Sequence, residues 1–417
     1  MTIKQSVKDA TKKMINPPTM LGMLGGGQLG RFFVIAAHEM GYQVTILDPD
    51  ANSPAGKIAD SHICADYSDE AALKQMIETC QAVTTEFENV PASTLEKLAK
   101  SVIVRPSAAA VAIAQNRVLE KNFIKQAGLP VAPFLVINNA TDLPDDSNDI
   151  YPAILKVARF GYDGKGQARV ANHVQAQAAF AEFNQETCVL EQMLPLDLEL
   201  SVVLARDVQG NIASFPTAEN SHLNGILDMS IVPARCSAVM NANAQELAKK
   251  LANQLDYVGV LGVEFFVVGK QLLVNEIAPR PHNSGHYTID ACTTNQFEQQ
   301  VRVMTGQALG DASLHSNAVM VNILGDSWFA NTKTTEKIDA TGDVNLKNEQ
   351  TGTEKSCTGI EPAWNNALRH ASLKLHLYHK HEPRKGRKMG HFTVIGQSKK
   401  AVLNVALVAR SELNIGV

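Results

Sequence analysis

Short apolar runs alternate with helical patterns through the first hundred residues. Leu21–Leu24 is apolar, and the glycines at 25–27 follow it directly. Arg31–Met40 repeats apolar residues at helical spacing and stops at Gly41. The run "YQVTILD", ending at Asp48, is rich in strand-forming residues. Together these predict one βαβ unit. The alternation continues with a strand in "SHICADY", a helix over Glu70–Cys80, a strand in "AVTTEFENV", a helix over Ala92–Lys100 and a strand in "SVIVRP". Strands spaced by helices predict a parallel, doubly wound sheet.

The pattern changes near residue 117. "RVLEKNFIKQAG" predicts a helix ended by Gly128. Strands at 151–160 and 168–171 are separated by a short glycine-rich turn, so they are expected to be antiparallel. A helix through "VQAQAAFAEFN" and a strand in "CVLEQML" complete a small α+β unit. Longer strands follow over 199–325. The polar stretch Asp326–Thr353 reads as a surface linker. From Gly359 the chain has a helix-like "PAWNNALRHASL", a strand "KLHLYHK", a basic turn and "GHFTVIG". There is no internal repeat.

Over 417 residues, 45% are hydrophobic and 19% charged, the balance of a globular protein with roughly two to three domains. A net charge of -4 argues against general affinity for nucleic acid. No apolar run is long enough to span a bilayer, so no membrane partner is expected. Residues 1–19 carry four lysines and no apolar segment of a secretory signal, which reads as a flexible extension of a cytoplasmic protein. Cys64, Cys80, Cys188, Cys236, Cys292 and Cys357 are too scattered for a C-x-x-C pair and read as buried thiols.

Candidate chemistry begins with "LGGGQLGR", where Gly25, Gly27 and Gly30 fit the G-x-G-x-x-G spacing and Asp48 follows where a dinucleotide fold places its ribose acid. A nicotinamide-dependent oxidoreductase is one reading. "GYDGKGQ" (Gly161, Tyr162, Asp163, Gly164, Lys165, Gly166, Gln167) lacks the Gly-Lys-Ser/Thr of a P-loop, yet a glycine-rich hairpin can fold over phosphates. Lys156 lies upstream in the apolar strand "AILKV" and needs an anion. In "VGVLGVEFFVVGKQLLVNEIAPR" two apolar runs flank Gly269-Lys270. Such a hairpin sets Glu264 opposite either Glu276 or, one residue shifted, Asn275. Facing buried carboxylates call for a cation, and Mg²⁺ shares oxygen ligands with phosphates. Glu191–Leu194 and Glu199 flank a short connection suited to an adenine slot and ribose hydroxyls. Arg280, His282, Asn283, Ser284 and His286 crowd one irregular segment. His376, His379, Lys380, His381, Arg384, Lys385, Arg387, Lys388 and His391 form a basic stretch suited to one phosphate rather than to a metal.

On "GGGQLGR", "EFENV", "GYDGKGQ", "HLNGILDMSIVPAR", "GVEFF", "NEIAPRPHNSGHYT", "QFEQQVR" and "GRKMGH", the chain resembles the ATP-grasp superfamily and, within it, the 5-(carboxyamino)imidazole ribonucleotide synthases of purine synthesis. The resemblance implies an ATP-grasp fold mixing α/β and α+β parts. A Rossmann-like pre-grasp domain would cover 20–116, a two-part ATP-grasp domain 117–325 with a lid near 150–198, and a small C-terminal domain 326–417. It implies that Arg117, Lys156, residues 161–167, Glu191, Gln192, Met193, Leu194, Glu199, His222, Asn275 and Glu276 bind ATP. Glu264, Glu276 and Asn275 would hold Mg²⁺. Gln28, Leu29, Glu86 and Asn89 would contact aminoimidazole ribonucleotide, and Lys380, Arg387 and Lys388 its 5′-phosphate. Arg280 and His282 would orient bicarbonate, with Lys380 as a third catalytic residue. The reaction implied runs from ATP and bicarbonate through carboxyphosphate to CO₂, which the exocyclic amine captures. A homodimer is implied as well. The rival readings are the oxidoreductase, an ATP-grasp ligase with another acceptor, and a nucleotide sensor without turnover.

Overall fold

The computed structural model describes residues 14–159, 166–329 and 360–416. The alternating N-terminal pattern builds β1 (Met20–Leu24), α1 (Gln28–Glu39), β2 (Gln43–Leu47), β3 (Ser61–Ile63), α2 (Glu70–Thr79), β4 (Ala82–Thr85), α3 (Ala92–Leu98) and β5 (Ile103–Val104). The five strands are all parallel, in the order β3-β2-β1-β4-β5. β1, β2 and β4 are buried along most of their length, which is why they read as continuous apolar runs. Two elements are shorter than the pattern implied. β4 stops at Thr85, and β3 covers only Ser61–Ile63. Residues 86–90 form a loop, and Gln115 holds it by donating to the carbonyls of Glu88 and Val90.

α4 (Ala108–Ala114) leads into α5 (Arg117–Gln126), whose first turn is capped by Asn116. β6 (Phe134–Ile137), β7 (Ala153–Val157), β8 (Gln167–Val170), α6 (His173–Glu182) and β9 (Cys188–Gln192) follow. Their strands form an antiparallel sheet in the order β6-β9-β7-β8, as the short turn after β7 required. This sheet is tied to α5 by a buried ion triad. Glu191 of β9 takes Lys156 of β7 at 2.9 Å on one oxygen and Lys121 of α5 on the other. Lys121 and Glu191 are almost wholly buried.

The strands of the remaining described residues form one large sheet. Its elements are β10 (Leu198–Arg206), β11 (Ile212–Ser214), β12 (Ala218–Leu223), β13 (Ile226–Val232), α7 (Ala238–Gln254), β14 (Gly259–Val268), β15 (Gln271–Ala278), α8 (Thr288–Ala291), α9 (Gln296–Thr305), β16 (Asn317–Leu324), α10 (Trp364–Leu368), β17 (Leu373–Leu377), β18 (Lys388–Gly396) and α11 (Lys399–Glu412). The strand order is β15-β14-β10-β12-β13-β16-β18-β17, with β11 on β10. The C-terminal hairpin β17–β18 therefore continues the sheet that carries β14 and β15. Most of the linker expected at 326–353 lies outside the described residues. The thiols are not all buried as expected: Cys80, Cys188 and Cys292 are, Cys236 is half-buried, Cys64 is exposed, and Cys357 lies outside the described residues.

α9 joins these parts. Gln300 accepts from Val260 N–H at 2.7 Å and donates to Thr84 Oγ1 at 2.9 Å and to the Arg105 carbonyl at 3.3 Å. Arg105 in turn caps the end of α9 through the carbonyls of Val303 and Met304. Burial lowers its guanidinium to about 10.

Two outcomes follow for stability. Gln300→Met keeps the volume but strands buried backbone groups on both sides of the junction, at a cost of about 2–4 kcal/mol. Calorimetry should show a lower melting temperature, and an unchanged one would remove Gln300 as the fastener. Glu191→Gln leaves two buried ammonium groups facing one neutral amide and should cost about 3–5 kcal/mol. Burial opposes the Glu191 charge, but Lys156 and Lys121 outweigh it and hold the carboxyl down at about 2. Because the folded value lies below the unfolded one, this stabilisation is full above about pH 4.5 and fades as pH falls toward about 2. The gap between wild type and Glu191→Gln should narrow over that window in urea titrations.

Candidate functional site

The glycine turn after β1 has its amides already committed. Gly26 N–H donates to Asp48 Oδ2 at 2.7 Å. Glu86 accepts from Gly27 N–H on one oxygen and from Gly30 N–H, at 2.7 Å, on the other. Two of the chain's own carboxylates thus fill the place where a dinucleotide's pyrophosphate would lie at the start of α1. A Cβ on Gly30 would lie 2.7 Å from the Gly25 carbonyl, so the glycine serves tight packing of this turn. Asp48 is equally occupied, accepting from Tyr67 Oη at 2.8 Å and Asp50 N–H at 2.8 Å. The oxidoreductase reading loses both its anion site and its ribose acid. Glu86 is buried, and burial raises its carboxyl despite the amides of Gly30 and Gly27 and the charge of Lys380.

A cavity of about 230 Å³ opens on this turn. Gln28, Asp48, Tyr67, Glu86, Lys380 and Arg387 are among its walls. It brings the N-terminal turn and the C-terminal basic hairpin together, though more than 350 residues separate Gln28 from Lys380. Three residues grouped with them by resemblance are not among the walls of this cavity. Leu29 points into the core beside Phe32 and Phe33. Asn89 is half-buried on the loop held by Gln115. Lys388 starts β18, where its charge bears on His282 and His286. The larger cavity, about 820 Å³, is lined by Phe215, Pro216, Pro233 and Asp311 and gathers no cluster of titratable groups.

The β14–β15 hairpin resolves the register question. Phe265 faces Val274 and Val268 faces Gln271, a pairing that alone would set Glu264 against Asn275. A bulge after Glu264 shifts the pairing, so Glu264 faces Glu276. Asn275 Nδ2 then reaches Glu264 Oε2 at 3.4 Å. Burial, then the charge of Glu276, pushes the Glu264 carboxyl up to about 7. Arg117 Nη1 lies 3.6 Å from Glu276. Two facing carboxylates and an amide oxygen form an oxygen-rich set that fits Mg²⁺. Glu264, Glu276 and His282 also offer three atoms within 4.8 Å of one another.

On the expected nucleotide side, Lys156 meets its anion in Glu191, so the chain itself supplies the counter-ion. The N–H groups of Gln192 and Met193 are taken by the carbonyls of Pro133 and Pro152. Those two N–H groups are therefore already engaged within the fold. Glu199 Oε2 holds His222 Nδ1 at 2.9 Å. Burial alone would lower the His222 pKa, but Glu199 and Glu264 leave it raised. Gly166 and Gln167 are in place, with Gln167 opposite Lys156. Gly161, Tyr162, Asp163, Gly164 and Lys165 lie outside the described residues.

Arg280 is paired with Glu88, Nε to Oε2 at 2.6 Å and Nη2 to Oε1 at 3.2 Å. Burial works against the Glu88 charge, but Arg280 holds the carboxyl below its usual range. The sequence reading passed over Glu88, Lys121, Ser201 and Tyr67. Only Glu88 had a signal, its alternation with Glu86 in "EFENV". His282 is buried and neutral, with Nδ1 2.9 Å from Ser284 Oγ. His376, His379 and His381 do not converge: His376 pairs with Asp290 at 2.8 Å and stacks on His391, while His381 is exposed. Asp290, His376 and His391 are close enough to propose a metal. Yet the two rings are 4.6 Å apart and only 20° from parallel, so their in-plane lone pairs do not meet at one ion about 2 Å from each.

Family models match three successive stretches of the chain. The ribonucleotide synthetase preATP-grasp domain matches residues 19–115, the ATP-grasp domain 122–297, and the phosphoribosylaminoimidazole carboxylase C-terminal domain 318–405. An N5-carboxyaminoimidazole ribonucleotide synthase of Bacillus subtilis is 40% identical over 389 residues, covering 93% of this chain and 94% of the relative. The crystal structure of N5-carboxyaminoimidazole synthetase from Staphylococcus aureus complexed with ADP is similar at a TM-score of 0.83 and 34% identity, covering 97% of this chain and 99% of that one. That of the Aspergillus clavatus synthase in complex with ADP and 5-aminoimidazole ribonucleotide is similar at 0.80 and 28%, covering 97% and 99%. With its pre-grasp, ATP-grasp and C-terminal parts in this order, the chain belongs to the N5-carboxyaminoimidazole ribonucleotide synthase family of ATP-grasp enzymes.

Proposed function

We infer that this chain is an ATP-dependent carbon–nitrogen ligase of purine biosynthesis. It carboxylates the exocyclic amine of 5-aminoimidazole ribonucleotide with bicarbonate and yields the carboxyamino ribonucleotide, ADP and phosphate. The observation that carries this is the 230 Å³ cavity, where the turn closed by Glu86 meets Lys380 and Arg387. The same loop sends Glu88 to Arg280, just beyond the Glu264/Glu276 hairpin, so acceptor and nucleotide sides share one junction. The Aspergillus relative, solved with ADP and the ribonucleotide together, supports the pairing of ligands.

In this reading Gln28 and Glu86 face the ribonucleotide, with Leu29 and Asn89 contributing backbone or loop shape. Arg387 and Lys380 take its phosphate, charge against charge. Lys388 and Arg280 surround the bicarbonate with positive charge, and His282 donates to it. Arg117, Lys156, residues 161–167, Glu191–Leu194, Glu199 and His222 hold ATP. Glu264, Glu276 and Asn275 hold Mg²⁺, which when bound neutralises phosphate charge. The three-part division at 20–116, 117–325 and 326–417 is retained as a description of these roles. The family resemblance supports a homodimer in the cytoplasm; no helix among the described residues is long and apolar enough to cross a membrane.

ADP release in a coupled assay should require Mg²⁺ and bicarbonate and rise strongly with the ribonucleotide. Release indifferent to the ribonucleotide would point to another acceptor. Glu276→Gln should abolish turnover, and retained activity would take Glu276 out of the metal set. Arg387→Ala should raise KM for the ribonucleotide about tenfold or more, the loss of a charge-assisted contact. KM for ATP should stay within about twofold, and equal changes in both would remove Arg387 from the phosphate site.

A further inference from the structure

His282 has a proton arrangement that its neighbours dictate. Its Nδ1 lies 2.9 Å from Ser284 Oγ and 3.4 Å from the Ser284 backbone N. A backbone N–H can only donate, so Nδ1 accepts. Ser201 Oγ donates to Ser284 Oγ at 2.7 Å, which leaves the Ser284 hydroxyl proton to point at the same Nδ1. A neutral imidazole whose Nδ1 accepts carries its hydrogen on Nε2. That nitrogen stands 3.6 Å from Glu264 Oε1, too far for a direct hydrogen bond.

The ring's position is equally fixed. A Cβ on Gly262 would lie 2.7 Å from His282 Cβ, so the glycine is what lets His282 lie over β14. Gln296 grips the His282 backbone from both sides, accepting from its N–H at 2.8 Å and donating to its carbonyl at 2.9 Å. Ser201 sits on β10 directly opposite Glu264. Ser201 and Ser284 are both almost wholly buried, and a buried hydroxyl is costly unless it has a partner.

We propose that Ser284 and Ser201 are positioning residues that lock His282 as the Nε2–H tautomer, presenting one N–H donor to an oxygen of the bicarbonate-derived group beside Glu264. This rests on the function inferred above and adds a specific role. His282 is a donor to the reacting group and not a ligand of the metal, although it lies near both glutamates. A protonated Nε2 offers no lone pair, and Nδ1 is taken.

The test is ¹⁵N NMR of the full-length protein labelled at its 12 histidines, without substrates. The His282 signals are assigned by their loss in His282→Gln. Nε2 should carry the proton and Nδ1 should not. Ser284→Ala should shift the ring toward a mixture of tautomers and lower kcat about tenfold or more, with KM for ATP and the ribonucleotide within about twofold. Ser201→Ala, which removes only the outer hydroxyl, should shift both readouts the same way by less. It also serves if Ser284→Ala does not fold. His282→Gln, whose amide nitrogen can stand where Nε2 stands, should retain more turnover than His282→Asn. A proton on Nδ1 in the wild type, or unchanged kcat and tautomer in both serine variants, would overturn the proposal. The tautomer is read on the resting enzyme, so a wild type with the Nε2–H signal but no ribonucleotide-dependent turnover would sink the functional reading alone.

Discussion

The site depends on a row of buried glutamines along α9. Gln296, Gln299 and Gln300 are all but inaccessible. Each primary amide carries a donor and an acceptor, so one side chain can satisfy both an N–H and a C=O. Gln296 does this for His282, and Gln300 joins Val260 of the large sheet to Thr84 and Arg105 of the parallel sheet. Gln299 closes the same pair of bonds on Gly310. Glutamate would lack the donors and lysine the acceptor. The site lies at a seam between the sheets, and Gln300 ties them together across it.

Electrostatics then separates carboxylates that look alike in the sequence. Glu191 and Glu264 are both buried on strands. Glu191 faces two lysines and is held down at about 2; Glu264 faces another glutamate and is pushed up to about 7. The first is an ion cluster that ties the β6-β9-β7-β8 sheet to α5. The second has a deficit of positive charge, of the kind a divalent cation offsets. Arg117, 3.6 Å from Glu276, supplies only part of the compensation.

The parallel sheet was legible because strands buried on both faces leave unbroken apolar runs. The β14–β15 hairpin was legible down to two alternatives, and the choice between them was not. A bulge depends on three-dimensional strain and has no one-letter signature. Helices α4 and α7 went unread for another reason. α4 is "AAAVAIA" and has no polar face, and the buried side of α7 is mostly alanine, Ala244, Ala248 and Ala252 beside Leu251. Neither gives the contrast that periodicity needs. Buried glutamines and serines look like surface residues in a sequence. Their meaning lies in partners such as Gln300 with Val260 or Ser201 with Ser284, tens of residues apart.

The glycine motif shows how one backbone device can serve opposite ends. A helix start preceded by glycines presents N–H groups to an anion, and in a dinucleotide fold that anion belongs to the ligand. Here it belongs to the chain, because Glu86 on the loop after β4 reaches back across the sheet to Gly27 and Gly30. The carboxylate turns an anion-binding turn into a closed, acidic wall facing Lys380 and Arg387. A phosphate would be repelled by Glu86 and drawn to the opposite, basic wall. The cavity is therefore polarised, and a ligand with a phosphate at one end and hydrogen-bond donors at the other has one orientation in which both ends meet opposite charge.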